Sequence, residues 1–405
     1  MRLWVQTKLL AVVAVVVGLL LATPVAATAA NLNPAAGPNF EMPFLCGEKW
    51  TGTSRSYHSP SRFAVDFNAP NDNGHIVVAT AAGTVSKVVF STRSYGVYVV
   101  IDHGNGVSSL YAHLQTTWLT VGMRVDQGQA IGLLGSTGNS SGPHLHHEEK
   151  LGSTVIPPYF HRTLWKMGST AASQNCPDTP LIGDWDGNGT ANVGIVRRTP
   201  TGTSVLQKRP KSVVTVPFGT GWDTYLAGDF DADPKDDLAV RSPNSSIFRM
   251  RTANGATSSI TYGTATLIGL VGDWDGNGLS DVGTWRYDLG QFALRMNGKT
   301  KLISLPNLGD RPVTGDWDGD KLWEVGVYDS DTATFSLRSS SGKVTTIKWG
   351  SPGDIPVSGD WNGDGRTDVG VWTPTTATFA LRFLAAGSNT TVRTKTIVFG
   401  NPRAL

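Results

Sequence analysis

This sequence predicts an all-β protein in two parts: an antiparallel β-sheet domain, then a β-propeller-like array of five four-stranded repeats. The first sign is texture. From about residue 46 to 176, short β-like runs such as FAVDF (63–67), TVSKVVF (84–90), VYVVIDH (97–103), SSLYAHL (108–114) and QAIGLLG (129–135) are separated by Gly/Asn turns, and no stretch keeps a helical period. The second is repetition. Related segments GDWDGNGTANVGIV (183–196), GDFDADPKDDLAV (228–240), GDWDGNGLSDVGTW (272–285), GDWDGDKLWEVGVY (315–328) and GDWNGDGRTDVGVW (359–372) have their first aspartates at 184, 229, 273, 316 and 360, in steps of 45, 44, 43 and 44. A fixed period of this size marks repeated supersecondary units. The third is strand content. The third repeat reads LIGLVGD, DVGTWRY, FALRMNG and TKLISLP, four strand candidates as a propeller blade requires. Five blades is the simplest count; an open array, or a propeller completed by another chain, is the alternative.

Taken in order, residues 1–29 have the layout of a secretory signal peptide. Arg2 and Lys8 precede an uncharged run, Leu9 to Ala22, and Ala27-Thr28-Ala29 offers an A-x-A cleavage site. The run has 14 residues, short of the roughly 20 that span a bilayer. A secreted protein is expected, with no membrane span elsewhere. Residues 30–45 read as a flexible Pro/Gly/Asn-rich leader, 46–176 as the sheet domain and 177–405 as the repeats. The paired cysteines Cys46 and Cys176 bracket the sheet domain, and in an exported protein a disulfide between them is expected.

Losing Arg2 and Lys8 brings the formal charge from +2 to zero, so no global basic field points to nucleic acid or an anionic membrane. All eight histidines (58, 75, 103, 113, 144, 146, 147 and 161) lie between residues 58 and 161. Confinement of this kind suggests local chemistry. Within SGPHLHHEE (141–149), His144 and His146 are two apart, so an extended strand turns both imidazoles to one face and Leu145 to the other. A metal site is the natural expectation. In FAVDFN, alternation puts Asp66 on the polar face with Ala64 and Asn68. His58 precedes it across a turn-prone SPSR, and His113 lies on another strand with Tyr111.

In combination and in this order, His58 and Asp66, VVATAAGTVSKVV, YAHL around His113 and GSTGNSSGPHLHHEE resemble the M23 family of zinc metallopeptidases, the lysostaphin-like peptidoglycan endopeptidases. The likeness runs from about Trp50 to Glu149. It implies His58, Asp66 and His146 as zinc ligands, with His113 and His144 as catalytic histidines around a metal-bound water. The first motif here is H-x7-D where the family more often has H-x3-D, which reads as a longer loop. His75 is expected to be a surface or packing residue, His103 a turn residue, His161 a surface residue, and His147 structural on the opposite face.

The repeats carry carboxylates or amides at loop positions 1, 3, 5 and 9. These are Asp184, Asp186, Asn188 and Asn192; Asp229, Asp231, Asp233 and Asp237; Asp273, Asp275, Asn277 and Asp281; Asp316, Asp318, Asp320 and Glu324; Asp360, Asn362, Asp364 and Asp368. Hard oxygen ligands alternating round a tight turn favour calcium, and the loops resemble FG-GAP/VCBS-type repeats. Position 6 wants Gly for the turn. Gly189, Gly278 and Gly365 comply, whereas Pro234 and Lys321 do not, which ranks the second and fourth loops as weaker. The position-2 aromatics (Trp185, Phe230, Trp274, Trp317 and Trp361) are expected to pack between blades.

The resemblance implies a secreted zinc endopeptidase acting on peptidoglycan peptide cross-links, carried by a calcium-binding propeller that targets a surface glycan or protein. A monomer is expected, with neither nucleic acid nor membrane as partner. A secreted endopeptidase for Gly-rich proteins is a second enzyme reading. The competing class is a non-enzymatic adhesion protein with a degenerate peptidase domain.

Overall fold

The structure, a computed structural model, describes residues 37–54, 60–306, 309–384 and 391–403. The expected signal peptide, the first part of the leader (30–36) and His58 lie outside the described residues. Among those described, the one helical turn is at Tyr287–Leu289 and all other regular elements are strands.

The N-terminal domain is built on one antiparallel sheet. Its strands are β1 (Lys49–Thr53), β2 (Val65–Asn68), β3 (Ile76–Val78), β4 (Gly83–Val89), β5 (Val97–Gly104), β6 (Val107–Thr117), β7 (Arg124–Val125), β8 (Ala130–Leu134), β9 (Leu145–Leu151) and β10 (Thr154–Val155). A small ribbon of β11 (Tyr159–Phe160) and β12 (Thr163–Leu164) precedes the last sheet strand, β13 (Ser169–Ala172). The main path runs β13-β1-β2-β9-β6-β5-β4-β7, with β10 on β9 and β8 bridging β3 and β6. Chain order and sheet order differ, which brings β2 and β9 side by side in the middle. One face of this sheet is apolar: Val65, Phe67, Val99, Ile101, Tyr111 and Leu145 share a core.

The leader departs from expectation. Phe40, Met42 and Phe44 are buried, and Phe44 stacks on Trp50 with ring centroids 3.7 Å apart. Its backbone is held too: Glu41 N donates to Thr80 O, Val78 N to Pro43 O, and Asn175 Nδ2 to Met42 O. All five residues of FEMPF (40–44), Glu41 and Pro43 included, are buried, so the segment is enclosed on every side. The disulfide between Cys46 and Cys176 forms as expected, with Cα atoms 4.8 Å apart.

The repeats form five four-stranded antiparallel sheets, each with its strands in chain order. In the first blade β14 (Thr179–Gly183), β15 (Asn192–Thr199), β16 (Gly202–Lys208) and β17 (Val213–Pro217) run outward. The others occupy 224–261, 268–304, 311–348 and 355–398. The ring closes on itself. In each case the residue seven beyond a loop's first aspartate donates its N–H to the first aspartate's carbonyl one blade back. Asp236 bonds Asp184, Ser280 bonds Asp229, Trp323 bonds Asp273, Thr367 bonds Asp316, and Ala191 of the first blade bonds Asp360 of the last, at 2.6–2.9 Å. The position-2 aromatics interleave as expected: Trp185 packs on Leu238, Trp317 on Val369, and Trp361 on Val193 and Ile195. Burying a Trp in this way is worth several kcal/mol, since truncation to Ala costs about 3–5 kcal/mol.

Sheet domain and propeller belong to one compact unit. Arg311, the first residue of an innermost blade strand, makes a two-pronged ion pair with Asp126 at 3.0 Å on each arm. Tyr287 Oη donates to Gly122 O at 2.7 Å, and Trp222 joins an apolar cluster with Trp118, Ile76 and Val78. The same strand ends at Gly315, just before the Asp316 loop, so docking face and acidic loops lie at opposite ends of the blades.

Candidate active site

Three adjacent strands build the site. β2 and β9 pair so that Asp66 stands directly opposite His146, and β9 and β6 pair so that Ala112 stands opposite His146 on its other side. His146 Nδ1 lies 3.1 Å from Asp66 Oδ1, although the two residues are 80 apart in sequence. His144, just before β9, has its Nε2 3.7 Å from the same oxygen. The His113 ring centre lies 4.8 Å from that of His144 and 5.9 Å from that of His146. Asp66, His113 and His146 are all buried, as the face of a half-covered sheet requires. Four of the five residues expected at a zinc centre are thus brought together; His58 is outside the described residues.

Local structure orients each ring. His113 has a left-handed backbone, φ 60°, unusual for a residue with a Cβ. Its Nδ1 donates to Thr137 O at 2.8 Å; a carbonyl can only accept, so Nε2 is the bare nitrogen facing the other rings. Thr137 is itself clamped, its hydroxyl taking the N–H of Val97 and giving to Leu114 O. This needs the 94–96 and 137–139 turns in close contact, and neither Gly96 nor Gly138, both at positive φ, has space for a side chain there. His144 Nδ1 likewise donates to Gly142 O at 2.9 Å, leaving Nε2 for the site.

The electrostatics sort the rings by role. Burial pushes His113 down to about 4, with the neighbouring His144 and His146 adding to the effect, so it is neutral at pH 7. Burial also opposes charge on His146, yet carboxylates on both nitrogens outweigh it and raise its pKa. One of them is Asp66. The other is Glu148, whose Oε1 lies 2.8 Å from His146 Nε2. Burial would raise Glu148, but His146, Lys150 and Tyr95 together bring it down to about 2. Lys150 Nζ sits 2.6 Å from its second oxygen, and Tyr95 Oη donates to the first at 2.6 Å.

Glu148, Tyr95 and Thr137 are absent from the sequence-based site. Glu148 was legible: the period-2 rule that pairs His144 with His146 carries on to residue 148. Tyr95 and Thr137 have no such signal, because their place depends on turns meeting in space. His103 corrects another expectation. It lies within β5, not in a turn, with Nδ1 2.8 Å from Ala82 O and Nε2 2.8 Å from Ser109 Oγ, and burial lowers it to about 4. His147 is fully buried on the opposite face against Tyr111 and Phe160, His75 lies edge-on to Trp50, and His161 pairs with Glu41.

The donors fit a metal ion of zinc's type. A carboxylate oxygen and an imidazole nitrogen meet on one point, a further imidazole approaches it, and a second carboxylate orients the ring from behind. In the propeller, the acidic groups that converge among the described residues are Asp229, Asp231 and Asp237, and Asp316, Asp318 and Glu324. These are the second and fourth loops, the two ranked lower from their position-6 residues. Lys321 simply adopts the left-handed turn, φ 71°, that Gly takes elsewhere, and Ala232 does so at position 4. In the first, third and fifth loops an arginine acts on the acids: Arg209 on Asp186, Arg295 on Asp281 and Arg382 on Asp368.

The fold and site are thus an antiparallel sheet with a carboxylate–histidine cluster on one face. Residues 61–158 match the family model described as Peptidase family M23, so the chain carries an M23 peptidase-family domain. It is 38% identical over 94 residues to a protein named "Uncharacterized metalloprotease" from Haemophilus influenzae, covering 23% of this chain and 19% of that one. It is 42% identical over 96 residues to "DD-carboxypeptidase/endopeptidase Mpg" from Neisseria meningitidis, covering 23% and 21%. With "Peptidoglycan DD-endopeptidase ShyA" from Vibrio cholerae it shares 48% over 64 residues, 15% of each chain. The matches therefore span about a fifth or less of the length of these curated relatives. Among solved structures, a putative peptidase M23 from Pseudomonas aeruginosa aligns with TM-score 0.28 and 26% identity, over 32% of this chain and 53% of that one.

Proposed function

We propose that this protein is an exported zinc endopeptidase that hydrolyses peptide cross-links of bacterial peptidoglycan. The observation that carries the reading is the meeting of Asp66, His146, His144 and His113 on one sheet face inside an M23-family domain. The named peptidoglycan endopeptidases among its relatives supply the substrate class, and the N-terminal layout supports export. The meeting of these four residues, with His58 present in the sequence, favours this over an adhesion protein with a degenerate domain.

Asp66 and His146 would hold the metal, with His58 as third ligand on sequence grounds. When bound, zinc supplies Lewis acidity toward a peptide carbonyl and acidifies water. The chain's own residues do the rest. His144, its Nδ1 committed to Gly142, offers a bare Nε2 to accept and pass on a proton. His113, neutral and locked by Thr137, is placed to steady charge on the reacting carbonyl once it carries a proton on Nε2 or to share the relay. Glu148 keeps His146 aimed. Digestion of purified sacculi, with identification of the new amino termini, tests the proposal. Release of amino termini by the intact protein and none by His146→Ala is the expected result.

A second reading concerns the propeller, and rests on Asp237 and Glu324. Burial raises these carboxyls to about 6 and about 8, and neighbouring loop aspartates add to the effect. Carboxylates gathered this tightly favour a bound cation, so the second and fourth loops are our candidates for calcium. We read the propeller as a monomer's targeting module, for a surface glycan or protein.

A further inference from the structure

The blades are repeats, so a residue unlike its counterparts at one register position is informative. The first cross-strand pair of each blade's two inner strands is Thr179–Val196, Thr224–Arg241, Ile268–Trp285, Arg311–Tyr328 and Ile355–Trp372. Four of the five second-strand positions carry buried apolar or aromatic side chains. Blade 2 puts a guanidinium there, and Arg241 is only 2% exposed. Its two Nη atoms donate to the backbone carbonyls of Leu267 and Thr264, its plane lies over Phe248, and its Nε has no partner. Burial lowers its pKa to about 10.

Arg198 is half-buried and is likewise held by neutral acceptors. Its hydrogen bonds go to the carbonyls of Gly221 and Pro177 and the hydroxyl of Thr179. Nearby Arg197, Arg249 and Arg311 are paired with Asp178, Asp223 and Asp126 at 2.7–3.0 Å. Neither Arg198 nor Arg241 has a carboxylate in ion-pair range among the described residues, and Asp178, Asp126 and Asp223 act on Arg198 only from farther off. A buried cation such as Arg241 without a counter-charge is costly, and main-chain carbonyls do not neutralise it.

Both arginines line one cavity of about 370 Å³ where the sheet domain meets the propeller, together with Trp118, Trp222, Tyr225 and Arg311; the carboxylates in its wall, Asp126, Asp223 and Asp310, are engaged by Arg311, Arg249 and Ser330. Domain junctions are preferred places for ligand sites, and a mostly apolar wall with a few placed charges is their usual make-up. Planar guanidinium groups suit oxyanions. We propose that this junction cavity is an anion-binding site. It takes a small ligand carrying a carboxylate or phosphate on a flat apolar body, with Arg198 and Arg241 supplying the positive charge and the three rings the wall. Because both domains line it, an occupant stabilises their docking. The proposal does not depend on the peptidase reading.

The test uses the full-length protein. Its thermal unfolding midpoint is followed against inorganic phosphate and against benzoate, with sodium chloride at matched ionic strength as the reference. The titrations are repeated with Arg198→Met and with Arg241→Trp, which installs the side chain of blades 3 and 5. The expected result is a saturable rise with phosphate or benzoate, weakened at least tenfold by either substitution. A response to phosphate alone assigns a phosphate ligand, and one to benzoate alone a carboxylate. No saturable rise beyond chloride overturns the proposal, and so does a rise that survives both substitutions. The wild-type titration stands even where a variant fails to fold.

Discussion

Glu148 Oε1 lies 2.8 Å from His146 Nε2, so the ring that meets Asp66 through one nitrogen is pinned by a carboxylate at the other. Glu148 fixes the tilt of His146 and, by holding the proton on Nε2, leaves Nδ1 to an ion at Asp66. Glu148→Gln should therefore lower zinc affinity by about 10–100-fold while leaving the fold intact. Competition against a coloured chelator, with circular dichroism as control, measures it. An unchanged affinity would show that the pair is merely structural.

His146 and His113 should separate binding from turnover. His146→Ala is expected to lose both metal and activity. His113→Ala is expected to keep the metal, because His113 Nδ1 is committed to Thr137, and to lose about 10²–10⁴ in rate. Metal content by mass spectrometry and cleavage of a synthetic cross-linked peptide separate the two. Full hydrolysis by both variants would place the active site elsewhere.

Asp126 makes docking acid-sensitive. Burial would raise its pKa, but Arg311, then Arg403 and Arg124, outweigh that and hold it below the usual carboxylate value. A depressed acid stabilises the fold above its unfolded value of about 3.9, and the contribution disappears as pH falls through the folded pKa. Midpoints should thus drop below about pH 4 in the wild type. Asp126→Ala should cost about 3–5 kcal/mol at pH 7, since it strands a buried arginine, and should lack that acid limb. Chemical denaturation across pH reads both.

The leader is structural. Phe44 is fully buried against Trp50 and Phe67, so Phe44→Ala should destabilise by about 3–5 kcal/mol, read from the urea midpoint. A shift below about 1 kcal/mol would mean that the segment is dispensable.

Calcium should raise the unfolding midpoint if the second and fourth loops bind it, by about 2.7 kcal/mol per site at a hundredfold excess over the dissociation constant. Asp237→Asn with Glu324→Gln should abolish that rise. Equal response in the double variant would shift the sites to other loops.

Much of this molecule was legible in the residues, and the limits are instructive. The alternation in FAVDFN and HLHHEE put Asp66, His144 and His146 on polar faces, and the same rule reaches Glu148. In the calcium-like loops the ranking weighed a glycine at position 6, whereas Lys321 takes the left-handed turn there and the carboxylates that converge among the described residues come from positions 1, 3 and 9 of the second and fourth loops. His103 was misjudged because DHGNG resembles a turn, while β5 continues through it to Gly104.

By itself the sequence determined the all-β class, the 44-residue repeat and the sidedness of each strand, since these follow from local periodicity. Only the tertiary structure decided that β2 lies beside β9, that the last blade closes on the first, and that Asp126 anchors the sheet domain to Arg311. Alternation says which way a side chain faces. Which distant strand it faces depends on long-range pairing, and no local pattern encodes that.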